Sequence, residues 1–248
     1  VIRYFMKTLT QLFEDSHEVS WNFEHQSVLL HYNEHTPCND IFQAVCHELG
    51  RFYSQYGFKY TSSRPKLEYK LGELTLQVGF LSTRSNTPGV SVMLEIITNI
   101  YSKKLAQLDK LEEYNAKGYL LGRPELTYRV HHGKPSGSVT VQLLDGTVTS
   151  ERIEDRKDAV HIFNQHYNVY GLTPEKFKAI VHYINTRSIE PFINLLNEDY
   201  LIEFIKNTAT GCFGRETKRF EKFVELNFES PSSILKAIEE RVRFYSNG

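Results

Sequence analysis

Apolar positions Phe5, Met6, Leu9, Leu12 and Phe13 recur at steps of three and four, which predicts an amphipathic helix over residues 4 to 14. Two short alternating runs, residues 19 to 23 and 27 to 32, flank Glu24, His25 and Gln26 and predict a hairpin. Thr36 followed by Pro37 reads as a helix start, since the hydroxyl can cap free N–H groups and proline is tolerated at the first helical position. The stripe Ile41, Phe42, Val45, Leu49, Phe52, Tyr53 and Tyr56 continues that helix to Gly57, placed where a left-handed cap belongs.

The period then changes to two. Leu67, Tyr69 and Leu71 alternate with Lys66, Glu68 and Lys70; Leu74, Leu76, Val78 and Phe80 alternate with Thr75, Gln77 and Gly79; Val90, Val92, Leu94 and Ile96 follow. These runs predict an antiparallel meander with one buried face, turning at Gly72-Glu73 and over residues 84 to 89. A helix carrying Tyr101, Leu105, Leu108 and Leu111 comes next, then a second set of strands through Leu126, Tyr128, Val130, Val139, Val141 and Leu143, with Asp145-Gly146 as a hairpin turn before Val148. Past Glu151 no strand pattern stands out. Residues 153 to 248 read as helices, with starts at Thr173-Pro174 and Ser230-Pro231.

The two strand sets share letters as well as order. Gly57-Phe58 parallels Gly118-Tyr119, and the run from Arg64-Pro65 to Leu71 parallels that from Arg123-Pro124 to Val130, with two residues fewer between the blocks in the second copy. The expected fold is therefore α+β: an antiparallel sheet from a duplicated unit of one helix and three strands (about 38–97 and 101–152) within residues 1–152, packed with a helical region over 153–248. The segment from 38 to 105, with Gly57-Phe58-Lys59 ending a helix and the Ser- and Asn-containing run 80 to 86 before an apolar strand, resembles a group of small bacterial domains of unknown function. That resemblance implies a bacterial or mobile-element origin and assigns no catalytic residue.

Composition narrows the function by exclusion. With 29 Lys plus Arg against 30 Asp plus Glu, the net charge of −1 does not suit a polycation acting on nucleic acid or anionic lipid. Three cysteines in 248 residues make no disulfide framework, and neither a leader nor an 18-residue apolar run is visible, so a reducing, cytoplasmic setting off the membrane is expected. The tyrosine and phenylalanine content, 15 and 16, suits cores and recognition surfaces alike.

Four groups of residues have the types that chemistry needs. His31, His35, Cys38, Cys46 and His47 are zinc-ligand types, but their spacing lacks tight pairs, and His47-Glu48 has Arg51 where a zincin helix needs its second histidine, so no metal site is expected. Lys66, Glu68, Lys70, Gln77, Glu95, Glu125, Arg129 and Gln142 should share the open sheet face. Alternating acids and bases there resemble a fragment of the pattern by which tunnel-type triphosphatases hold metal and polyphosphate; the plainer reading is a solvated face with cross-strand pairs. Arg215, Lys218 and Arg219 open a helix after a Gly-containing loop, where N–H groups and bases could meet a phosphate, although Glu216, Glu221 and Glu225 among them suggest ion pairing instead. Cys212 lies in the same loop and lacks a nearby histidine.

No triad, phosphate-binding loop or dinucleotide fingerprint appears. The expectation is a non-catalytic protein that binds another macromolecule, most simply a protein, without a cofactor, through Lys66, Glu68, Lys70 and Arg129 or through Arg215, Lys218 and Arg219. Two alternatives stay open: an enzyme or effector on nucleotides or nucleic acid, and a structural subunit of a larger assembly.

Overall fold

A computed structural model of the chain describes residues 9, 11–13, 22–82, 86–113, 115–122, 138–142, 148–152, 166–207 and 217–246. The Ile41 to Tyr53 stripe forms helix α1 (Cys38–Ser54), which buries Ile41, Phe42, Val45, Cys46, Leu49, Phe52 and Tyr53. Its start differs in detail from the expectation. Pro37 itself holds the cap position with no side-chain cap, because the Thr36 hydroxyl accepts a hydrogen bond from Asn33 N (2.9 Å). After the helix, Gly57 has φ of +85°, the left-handed stop expected of it.

Strands β1 (Lys59–Thr61), β2 (Lys66–Leu71), β3 (Leu74–Ser82) and β4 (Met93–Ser102) run antiparallel in that order. The register sets Leu67 opposite Val78 and Tyr69 opposite Leu76, so all four point to the face covered by α1, and Leu67, Leu76 and Val78 are fully buried. Gly72 (φ +59°) and Glu73 make the expected two-residue turn. Helix α1 lies close on the first strand: a Cβ on Gly50 would run into the Tyr60 ring, so only glycine lets the two elements meet there.

The fourth strand begins later than its letters predict. Val90 sits in a loop with Thr87 bridged to Ser91, and Tyr101, expected to open a helix, belongs to β4 instead. Helix α2 (Lys103–Leu111) starts one residue beyond Ser102, whose hydroxyl accepts from Leu105 N.

One edge of β4 pairs with β3 along its length. The other is shared: β5 (Tyr119–Gly122) takes Asn99 to Tyr101, and β8 (His166–Asn168) takes Met93 to Glu95. Strand β8 corrects the expectation that no strand follows Glu151. Its three residues are too few to display a period, and it is held where Val92 N donates to Asn168 Oδ1 and Val92 O accepts from Val169 N. Strands β6 (Ser138–Gln142) and β7 (Val148–Arg152) form a hairpin, but as a separate two-stranded ladder rather than as part of the main sheet. Gly118 has φ of +82°, as Gly57 has +85°, but it stands seven residues past the end of α2 at Leu111 and so does not stop that helix. The Arg123-Pro124 strand that carries the rest of the duplication, and Asp145-Gly146, lie outside the described residues.

The hairpin expected over 19 to 32 is absent where it is described. Val28–Leu30 is a single 3-10 turn, capped by the Ser27 hydroxyl, after a turn from Glu24 to Ser27. The reason lies on α1. Glu48 accepts from Glu24 N (3.1 Å) and Arg51 Nη2 donates to Asn22 O (2.7 Å), so side chains of the helix take the backbone groups that a partner strand would have used.

Helices dominate the C-terminal region as expected. α3 (Pro174–Ile184) is capped by Thr173, and it is followed by a π-turn (Asn185–Ile189), α4 (Glu190–Asn194), α5 (Glu198–Asn207), α6 (Thr217–Asn227) and α7 (Ser232–Ser246). Pro191 accounts for the π-turn: it has no N–H to give and its ring excludes the carbonyl four residues back, so the preceding turn widens. These helices share one core with the sheet. Phe177 meets Phe52 and Phe23 edge to face, and Thr98 on β4 hydrogen-bonds Ser188 (2.6 Å).

Candidate functional site

The face of the sheet turned away from α1 carries Lys66, Glu68, Lys70, Thr75, Gln77, Glu95 and Asn99, as the alternation predicts. Lys66 and Lys70 flank Glu68 at 3.6 and 3.9 Å, and Gln77 Nε2 on the facing strand donates to Glu68 Oε2 (3.1 Å). One carboxylate therefore answers two ammonium groups and an amide. A metal-polyphosphate site needs several carboxylates free to bind the cation, and here the one described in the middle of the face is already satisfied. Arg129 lies outside the described residues.

The basic cluster divides. Lys218 is exposed on α6, and Arg215 is outside the described residues. Arg219 is not turned out beside Lys218, as the phosphate reading requires. Its side chain is 10% exposed and forms a bidentate pair with Asp109, itself 4% exposed, on α2, with Nη2 to Oδ2 at 2.7 Å. Nε donates to Tyr119 O, and Asp109 Oδ2 also accepts from Gly118 N (2.6 Å). The guanidinium and the hydrogen bond from Gly118 hold the Asp109 carboxyl below its usual range, against the opposing effect of burial. Arg219 is a clamp joining α6, α2 and β5, with Nε, Nη1 and Nη2 each donating to those partners. A signal for this was present in the sequence. Asp109 stands four residues after Leu105 on the stripe that should face the core, and a buried aspartate calls for a cation.

The metal reading meets a similar obstacle. Arg51, in the place of a second ligand, donates to Glu48 Oε2 through Nε and Nη2 (3.0 and 2.8 Å), and Glu48 is fully buried. His47 instead faces Glu24 at 3.5 Å. Cys46 is packed in the core, where burial pushes its thiol pKa up, so it is not a ready thiolate. Among the described residues no three His, Cys, Asp or Glu side chains stand together to hold a metal ion.

Sequence reasoning missed one further assembly. At the end of the sheet where β4 begins and β8 finishes, three segments meet: 28–36, 86–91 and 168–171. Tyr32 Oη accepts from Gly171 N (2.6 Å) and its ring meets Tyr170 edge to face. Asn168 Oδ1 accepts from Val92 N and Tyr170 N (3.1 and 3.0 Å) while its amide donates to Val90 O, and Asn86 Oδ1 accepts from Met93 N (2.8 Å). A Cβ on Gly89 (φ +73°) would strike Glu34, so the loops touch directly. Two asparagines and a tyrosine thus fix loops that leave Val90 65% and Leu30 46% exposed. The Asn, Gly, Pro and Tyr content of these segments was the available sign; nothing in sequence brings them together.

No helix among the described residues is long and apolar enough to cross a membrane. No protein-family model, curated protein or solved structure matches the chain, and the resemblance over 38 to 105 rests on its own short motifs.

Proposed function

We propose that the chain acts without catalysis, by binding another protein through the open face of the sheet, with Lys66, Glu68 and Lys70 at its centre. The observation that carries this reading is Glu68 between two lysines and Gln77: a half-exposed face of mixed, already paired charge. Interfaces that form and separate are about as polar as the rest of a protein's surface, whereas nucleic acid calls for unopposed cations. The withdrawal of Arg219 into its pair with Asp109 removes one of the bases on which a phosphate site at 215 to 219 relied. A reducing, cytoplasmic compartment and a bacterial origin belong to the same proposal; the free thiols of Cys38 and Cys46 are consistent with the compartment.

The test compares wild type with Lys66→Glu/Lys70→Glu. Affinity purification from the native source should recover a stoichiometric protein that the double variant loses, with the melting temperature unchanged, and neither chain should bind RNA, DNA or nucleotides at low salt. Recovery of the same partner by both chains refutes the assignment of the face, and salt-sensitive binding of a nucleic acid refutes the class.

A further inference from the structure

The open sheet face is not evenly charged. Lys59 on β1 stands directly opposite Glu68, so it shares that face with Lys66, Glu68 and Lys70. Three lysines thus meet one carboxylate at the β1 end of the sheet. Glu68, its side chain 21% exposed, lies against Lys66 and Lys70, whereas the exposed Lys59 has no carboxylate partner among the described residues. Thr75, Gln77 and Asn99 continue the face without charge, and Glu95, the next acid on it, belongs to β4. β1 is also the last strand on its side of the sheet: among the described residues no further strand, loop or side chain hydrogen-bonds its outer edge.

We propose that β1 takes up an extended, acidic segment of the protein partner as an added strand, which rests on the reading of the open face as a protein-binding surface and names the chemistry it recognises. Two features select this occupant. An unpaired strand edge offers backbone N–H and C=O groups in turn, which another peptide matches and a phosphodiester backbone, with acceptors alone, matches only in half. The excess of lysine then sets the sign of the partner. On an added strand every second side chain lies on the open face, so one carboxylate comes beside Lys59. Thr61 pairs with Lys66, so the next carboxylate comes beside Thr61 and toward the Lys66 ammonium. A second copy of β1 would bring Lys59 near its own image, and like charges on an edge deter such pairing.

Fluorescence anisotropy of the full chain with a labelled ten-residue peptide of alternating glutamate and threonine tests this. Wild type should bind the peptide saturably at low salt and more weakly as salt rises. The same peptide with glutamine for glutamate, which lacks the charges, and the fully N-methylated peptide, which lacks the backbone donors, should each bind about tenfold more weakly or worse. Lys59→Gln should weaken the acidic peptide by about threefold while the melting temperature stays as in wild type. No saturable binding by wild type, equal binding of the N-methylated peptide, or an unaltered affinity in Lys59→Gln each overturns the inference, and tighter binding of a single-stranded DNA decamer overturns it in favour of a nucleic acid. The reading of the face itself fails on a separate result, recovery of one native partner by both wild type and Lys66→Glu/Lys70→Glu, so the two failures are told apart.

Discussion

Removing Arg219 should be among the most damaging single changes to this fold. Arg219→Met keeps much of the side-chain length and deletes the guanidinium, leaving the Asp109 carboxylate 4% exposed and without its cation, and Tyr119 O without that donor. Breaking a buried pair from one side typically costs about 3–5 kcal/mol, because the surviving charge must be neutralised or rehydrated. With about 2–4 °C of melting temperature per kcal/mol for a chain of this size, the expected fall is on the order of 10 °C. Asp109→Asn should fall similarly, since the hydrogen bond from Gly118 N weakens and the guanidinium is then unpaired. Asp109→Asn/Arg219→Met should lose less than the two single changes added together. The pH dependence has a definite sign. The folded carboxyl is held below its ordinary value of 3.8, so the contribution of the pair is complete above that pH and fades as pH falls through the lower, folded value. Thermal melts of the four chains from neutral pH downward measure all of this. A loss under about 1 kcal/mol for Arg219→Met, the value of an exposed ion pair, would refute the clamp.

Two further substitutions probe the frame around it. Gly118→Ala puts a Cβ 2.5 Å from Ser102 O and 2.8 Å from the Ala106 Cβ at a φ of +82°, so it should destabilise by more than about 1 kcal/mol in urea, whereas Gly72→Ala, with open space around it, should cost less. Leu67→Ala empties a fully buried site under α1 and should lower stability by about 2–5 kcal/mol in the same assay; a smaller loss would mean that Leu67 is less central to the core than its burial implies.

Where one residue's neighbours in the chain decide its conformation, the letters were enough. Leu67 and Tyr69 alternate with Lys66, Glu68 and Lys70 because one face of β2 is covered and the other is open, and Gly57 stops α1 because glycine tolerates a positive φ. Residues 27 to 32 misled for a physical reason: a few alternating residues suit a strand or a 3-10 turn equally, and Glu48 and Arg51, decisive for the segment before them, lie more than 20 residues away. The same holds for the site. The shared face of Lys66, Glu68, Lys70 and Gln77 follows from period two alone, whereas the withdrawal of Arg219 depends on an aspartate 110 residues earlier, and the three-loop end depends on Tyr32 reaching Gly171.

The divided edge of β4 has a consequence for the order in which the chain becomes safe. Val92 finds Asn168 only 76 residues later, which at cellular rates of about 5–20 residues per second means about 4–15 s of synthesis. During that interval the sheet can hold β1 to β4 and even β5, while the backbone groups of Val92 and Leu94, which face β8 in the finished fold, await their partners. Such an edge invites pairing with another unfinished chain. β8 is thus a late closure, and chains cut before His166 should be recovered as aggregates in which this stretch, rather than the buried face of β2 and β3, is protected from hydrogen exchange first.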